Sequence, residues 1–170
     1  GNSLWIATDH SNGLNKLNFQ TNKFIHYLPG LIISCVYRDA DGAIWIGTDG
    51  GVYQYNRKSD AFDAASEQNP ASSIVQVGGI TADKENNLWI SSESGIYMLN
   101  NRDHVIRFGK EYGLPDANNF FFPGSAFTAQ NGDVYFGKSD GYNTFSPEKL
   151  KVSRSKPQLY FTGLWLGNKQ

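Results

Sequence analysis

One short pattern, written four times along 170 residues, limits what this chain can fold into more than anything else about it. Its clearest copy is Asp39 to Tyr55, DADGAIWIGTDGGVYQY. The Asp39, Asp41, Gly42 cluster suits a tight turn, because short polar side chains bond their own backbone and glycine tolerates positive φ. Ile44, Trp45, Ile46 follow as a strand, being β-branched and aromatic and too short for a helix. Asp49, Gly50, Gly51 make a second turn, with glycines for the primed hairpin geometry, and Val52 to Tyr55 make the next strand.

The pattern recurs from Leu4 through Leu17, from Leu88 through Leu99 and from Val134 through Phe145. Its anchor aromatics are Trp5, Trp45, Trp89 and Tyr135, spaced 40, 44 and 46 residues apart. A period in that range with about four strands per copy is the signature of a β-propeller blade. The expected fold is all-β, a partial β-propeller of about four four-stranded antiparallel blades over residues 1–28, 29–66, 67–110 and 111–148. The first blade is expected to lack its inner strand.

In chain order, the first blade's outer strand is expected at Phe24 to Tyr27. The second blade runs from an inner strand at Ile32 to Tyr37 to a short outer strand at Ala61 to Ala65. The third has its inner strand at Val75 to Ala82, where Gly78 and Gly79 suit crowding near a propeller axis, and its outer strand at His104 to Phe108. Gly109 to Gly124, with three phenylalanines at 120–122, reads as a long connection; long loops carry function more often than short ones. The competing expectation is that one or two of those rings plug the space between blades. The fourth blade has strands at Ser125 to Ala129, Val134 to Lys138 and Tyr142 to Ser146, with Pro147 where a last strand is due. Residues 149–156 read as a linker. Residues 157–170, PQLYFTGLWLG onward, fall outside the repeat and read as the truncated first strand of an immunoglobulin-like domain.

Composition narrows the function classes. A formal charge of −1 with 18% charged residues carries no electrostatic footprint for nucleic acid. The chain contains no apolar run of transmembrane length. The single cysteine, Cys35, lies in an apolar run and reads as a buried structural thiol. His10, His26 and His104 sit at different blade positions, so no shared zinc site is expected. Asp39 and Asp41 lack the acidic twelfth residue of a calcium loop, and turn formation accounts for both. No metal and no cofactor are expected.

The cores IWIGTDGGVYQYN and LWIATDHSNGLNKLN resemble the two-component regulator propeller repeat of hybrid two-component sensors from Bacteroidetes. GDVYFGKSDGYNTFSPEKL followed by PQLYFTGLWLGNK resembles the passage from the last blade of that family into its three-tyrosine immunoglobulin-like domain. The resemblance implies the periplasmic portion of an inner-membrane sensor histidine kinase that detects polysaccharide breakdown products and controls glycan-utilisation genes. The segment itself would be non-catalytic. Two alternatives stay open: a propeller enzyme acting on polysaccharide, of lyase or sialidase type, and a plain protein-interaction propeller. The Asp39, Asp41, Gly42, Trp45 cluster is similar to the structural box of sialidases. However, Arg38, Arg57, Arg102, Arg107 and Arg154 fall at unrelated blade positions, and no paired carboxylates stand out.

Carbohydrate recognition needs rings to stack on sugar faces and carboxylates or amides to hold hydroxyls. In a propeller the turns between second and third strands share an end with the blade-to-blade connections. The candidate ligand residues are therefore Asp9, His10, Asp49, Glu93 and Asp140 from the turns, with Tyr112, Asn119, Phe121 and Phe122 from the long connection. The expected partners are an oligosaccharide and further copies of the chain, the latter through open blade edges and the 159–166 strand.

Overall fold

Each repeat folds by the same local rule: a polar turn, a strand centred on the anchor aromatic, a glycine or serine turn, and a strand returning beside it. The computed structural model describes residues 2–8, 12–64, 74–100, 104–114 and 121–150. Among these residues, fourteen strands form four separate antiparallel sheets taken in sequence. Blade 1 contains β1 (Ser3–Ala7), β2 (Leu14–Asn18) and β3 (Lys23–Tyr27). Blade 2 contains β4 (Ile33–Arg38), β5 (Ile44–Thr48), β6 (Val52–Asn56) and β7 (Ala61–Ala64). Blade 3 contains β8 (Val77–Ala82), β9 (Leu88–Ser92), β10 (Gly95–Asn100) and β11 (His104–Phe108). Blade 4 contains β12 (Phe121–Thr128), β13 (Val134–Lys138) and β14 (Gly141–Phe145).

The blades stack face to face: the half-buried Trp5 packs on Tyr55 and Phe62 of blade 2, and the next two seams bury the tryptophan of one blade against apolar side chains of the next. Trp45 packs with Val77, Leu88, Ile90 and Leu99 of blade 3. Trp89 packs with Val134, Phe136 and Phe145 of blade 4. Both indoles are essentially inaccessible, as their shared place in the repeat requires. Glycine sets the approach of the inner strands. A Cβ on Gly78 would lie 2.4 Å from Phe121 Cβ, and one on Gly79 would lie 2.8 Å from Ala126 Cβ, so only hydrogen side chains let β8 and β12 come this close.

Two expectations need correction. The inner strand of blade 4 begins at Phe121 rather than Ser125, so the preceding connection is shorter than Gly109 to Gly124. The ladder breaks register between Phe121 and Ala126, with Gly124 at φ 71. Pro123 and Gly124 look like loop residues in sequence but here build a bulge that bends the strand. Blade 4 is also three-stranded among the described residues. After Phe145 the chain enters a 3-10 turn, Pro147–Lys149, because proline fixes φ and has no N–H to continue a ladder. The linker and the immunoglobulin-like segment, including the 159–166 strand, lie outside the described residues.

Candidate functional site

The two ends of the blade stack use similar residues in opposite ways. At one end lie the turns between first and second strands. Asp39 accepts the Ala43 backbone N–H on Oδ1 at 2.8 Å and the Trp45 indole N–H on Oδ2 at 2.9 Å. Asp83 repeats this one blade on, accepting the Asn87 backbone N–H at 2.9 Å and the Trp89 indole N–H at 2.9 Å. Each carboxylate thus closes its hairpin and anchors its indole, and charge-assisted bonds of this kind are the strong ones. Bonds between turns lace neighbouring blades together here. Asn86 donates to Asp41 at 2.9 Å and Lys84 to the Asn131 carbonyl at 2.9 Å. A depression of about 170 Å3 between blades 3 and 4 is lined by Asp83, Lys84, Asn87, Trp89 and Leu150. Its Asp83, Asn87 and Lys84 side chains are already bonded within the fold, while Glu148 also lines it.

At the other end, the turns between second and third strands meet the entries to the inner strands. A hydroxyl starts this turn in blades 1 to 3, where blade 4 has Lys138. Thr8 donates to the Gly13 carbonyl at 2.8 Å and Thr48 to the Gly51 carbonyl at 2.9 Å, while Ser92 Oγ accepts the Ser94 N–H at 3.2 Å. The Ile32 N–H donates to Asp49 Oδ1 at 3.0 Å. Gln76, a non-glycine residue at φ 53, donates its N–H to the Asp49 carbonyl at 3.0 Å, and its own carbonyl accepts the Glu93 N–H at 3.3 Å. Gln76 therefore ties the two turns together through a backbone conformation that costs energy, as is common where structure serves a site.

Between them is a depression of about 110 Å3 lined by Ile32, Ser34, Asp49, Gln76, Val77, Glu93, Phe121 and Pro123. Three inner strands contribute, so the pocket sits where the blades converge. The Ser34 hydroxyl is buried and has no hydrogen-bond partner. No basic side chain among the described residues pairs with Asp49 or Glu93. The wall thus combines two carboxylates, a spare hydroxyl and an aromatic ring.

The nine candidate ligand residues fall out unevenly. Asp49, Glu93 and Phe121 line this depression together. Phe121 is also buried against Phe136, with ring centroids 6.0 Å apart, so it plugs a blade seam as well. Asp140 lies on the same end but outside the pocket. It stands one position beyond the strict counterpart of Asp49 and Glu93 and pairs with Lys138 at 3.0 Å. That hydrogen bond and charge hold its carboxyl below the ordinary range. Tyr112 stacks on Phe108 at 4.8 Å and belongs to the core of blades 3 and 4. Phe122 is exposed on β12. Asp9, His10 and Asn119 lie outside the described residues. Ser34 and Gln76 were not among the candidates, because no motif marks an isolated strand serine or a left-handed glutamine.

A second polar cluster lies in the seam of blades 1 and 2. The Lys16 ammonium sits 5.2 Å from the Trp5 ring and 4.9 Å from the Tyr55 ring, and donates to Tyr55 at 2.8 Å and Asp60 at 3.1 Å. Tyr27 and Tyr55 also donate to Asp60. Burial works to lower the Lys16 pKa, but these bonds more than offset it and the net direction is upward. The bonds from Tyr55, Tyr27 and Lys16 pull Asp60 below its ordinary value. The aromatic box is filled by the chain's own lysine. Cys35 is buried and its thiol is pushed up to about 12, chiefly by desolvation, which makes it inert at neutral pH.

Taken together these features define a run of consecutive propeller blades with a pocket at the axial end. Residues 27–50 match the two component regulator propeller family. The chain is similar to the extracellular domain of a hybrid two-component system from Bacteroides thetaiotaomicron, at 25% identity and a TM-score of 0.65, covering 84% of this chain and 18% of that one. A second such domain from the same organism matches at 21% identity and a TM-score of 0.69, covering 94% and 22%. The chain thus spans about a fifth of the length of these relatives. Virginiamycin B lyase from Staphylococcus aureus shares the fold at 16% identity and a TM-score of 0.57, covering 86% of this chain and 53% of that one. No curated protein sequence matches. No helix among the described residues is long and apolar enough to cross a membrane.

Proposed function

We propose that this chain is a non-catalytic part of the periplasmic sensory region of a hybrid two-component histidine kinase, and that its axial pocket contacts an oligosaccharide released from polysaccharide. The observation that carries this reading is the convergence of Asp49, Glu93, Phe121 and the unpartnered Ser34 hydroxyl in one depression. Carboxylates accept hydrogen bonds from sugar hydroxyls, and a free hydroxyl can donate or accept. A ring and a proline supply apolar contact for the C–H face of a pyranose. The similarity to extracellular domains of hybrid two-component systems supports the sensor role.

The enzyme alternative draws on the lyase likeness, which carries fold alone at 16% identity. His26 and His104, the two described histidines, stand on the outer strands β3 and β11, away from the pocket lining. Titrating the chain with a panel of defined oligosaccharides by calorimetry, with product analysis of the same mixtures, tests both readings. The expected result is saturable binding to at least one glycan without turnover, weakened in Asp49→Asn and Glu93→Gln. Cleavage of any panel member would favour the enzyme instead.

A further inference from the structure

The axial depression presents charge of one sign. Asp49 and Glu93 line it, and none of the residues lining it is a lysine or an arginine. Lys138, Arg107 and Lys110, described basic residues of this end, all stand outside it. Lys138 pairs with Asp140, and Arg107 donates from the outer strand β11 to the Ser94 carbonyl at 2.8 Å. The segments leading into β8 and β12, residues 65–73 and 115–120, contain no lysine or arginine and add Glu67 and Asp116 to the sequence of this end.

The backbone is equally unsuited to an anion. The Ile32 N–H goes to Asp49 Oδ1 at 3.0 Å. The Asp49 N–H goes to the Ile32 carbonyl at 3.2 Å, the Gln76 N–H to the Asp49 carbonyl at 3.0 Å and the Glu93 N–H to the Gln76 carbonyl at 3.3 Å. Four N–H groups that could cradle an anion, as backbone nests do, are thus spent on joining the turns. Asp49 Oδ2 and both carboxylate oxygens of Glu93 take no bond among the described residues. A hydroxyl or an ammonium can donate to such oxygens, whereas a carboxylate cannot. A cleft of one sign focuses its field, and a carboxylate entering beside Phe121 and Pro123 would lose water without gaining a cation.

We propose that the axial pocket selects its glycan by charge, taking a neutral or amine-bearing sugar and turning away the uronate counterpart. This rests on the glycan reading above and narrows it to a substrate class. Asp49 and Glu93 then have two roles, since they accept from sugar hydroxyls and also repel acidic rings.

A matched panel tests it on the 170-residue chain. Each glycan is offered as the neutral oligosaccharide, with its exocyclic carbon oxidised to the uronate, and with an amino group replacing one hydroxyl. By calorimetry at about 10 mM salt, where screening is weak, the neutral form is expected to bind at least about tenfold tighter than the uronate. The aminated form is expected to bind at least as tightly as the neutral one. At about 1 M salt, where the screening length falls to about 3 Å, the gap is expected to narrow. The double variant Asp49→Asn with Glu93→Gln is expected to bind the neutral form more weakly and to discriminate against the uronate no longer. Unchanged indole N–H resonances of Trp45 and Trp89 certify its fold. A uronate that binds as tightly as its neutral counterpart overturns the charge selection and leaves the glycan reading standing. A gap that salt does not narrow, or that persists in the double variant, overturns it too, because the discrimination would then be steric. Binding by no member of the panel overturns the glycan reading and this inference with it.

Discussion

Compare Asp83 with Glu93. Both are carboxylates of blade 3 in turns flanking the same strand, β9, yet they sit at opposite ends of it and in opposite chemical states. Asp83 accepts from the backbone of Glu85 and Asn87, from the Asn87 amide and from the Trp89 indole, so its lone pairs are consumed by the fold. Glu93 is exposed and no side-chain partner among the described residues claims it. The same contrast separates Asp39 from Asp49 in blade 2, though Asp49 retains one backbone bond. Blades 2 and 3 thus carry acids at both ends, and hydrogen-bond accounting tells those consumed by the fold from those with carboxylate oxygens to spare.

The largest expected effect is at the structural end. Trp89→Ala or Trp45→Ala should cost about 3 to 5 kcal/mol, as for other fully buried aromatics, measured by urea unfolding. A loss below about 1 kcal/mol would show that the seams do not depend on the indoles. Asp83→Ala or Asp39→Ala should cost roughly 2 kcal/mol, since a buried indole N–H and turn amides lose a charged acceptor, with glycan affinity unchanged for whatever fraction stays folded. An equal loss in Asp49→Asn would erase the distinction between the ends.

Much of this was legible in the sequence, for physical reasons that differ by residue. Trp45 and Trp89 were readable as seam anchors because a repeat must bury the same position in every copy. The role of Asp39 in its turn was readable too, but its bond to the indole was not drawn from the sequence. The signal was present: Asp39 and Asp83 each precede their tryptophan by six residues, and blade 4 has Ala129 and Tyr135 there, losing carboxylate and indole together. The start of β12 was hidden because Pro123 and Gly124 resemble a loop when they in fact form a bulge. Asp49 and Glu93 could be placed on one end from topology alone. Asp140 could not be excluded, because a one-residue offset and a lysine partner are set by the local turn.

Cys35 lies between the two ends and serves as a control. Its folded-state pKa is raised from 9.0 to about 12, so above pH 9 the unfolded chain releases a proton that the folded chain keeps. Stability is therefore full below about 9 and falls as pH rises toward 12. Unfolding curves across that range should flatten in Cys35→Ala and keep their slope in both Asp83→Ala and Glu93→Gln. A slope unaffected by Cys35→Ala would place the alkaline sensitivity elsewhere, with Tyr27, pushed up to about 12 by burial and its bond to Asp60, the next group to replace. The smallest stability effects belong to the axial end. Asp49→Asn and Glu93→Gln should each change unfolding by less than about 0.5 kcal/mol, as is usual for surface substitutions, while weakening glycan binding about tenfold, equivalent to about 1.4 kcal/mol.

The contrast between the ends is tested most directly by mapping backbone amide shifts in a two-dimensional NMR titration with the tightest glycan of the panel. The account predicts changes clustered at Ser34, Asp49, Gln76, Glu93 and Phe121, with Asp41, Gly42, Asn86 and Gly132 at the opposite end unmoved. Changes confined to those four turn residues would put recognition at the hydrogen-bonded end and contradict it.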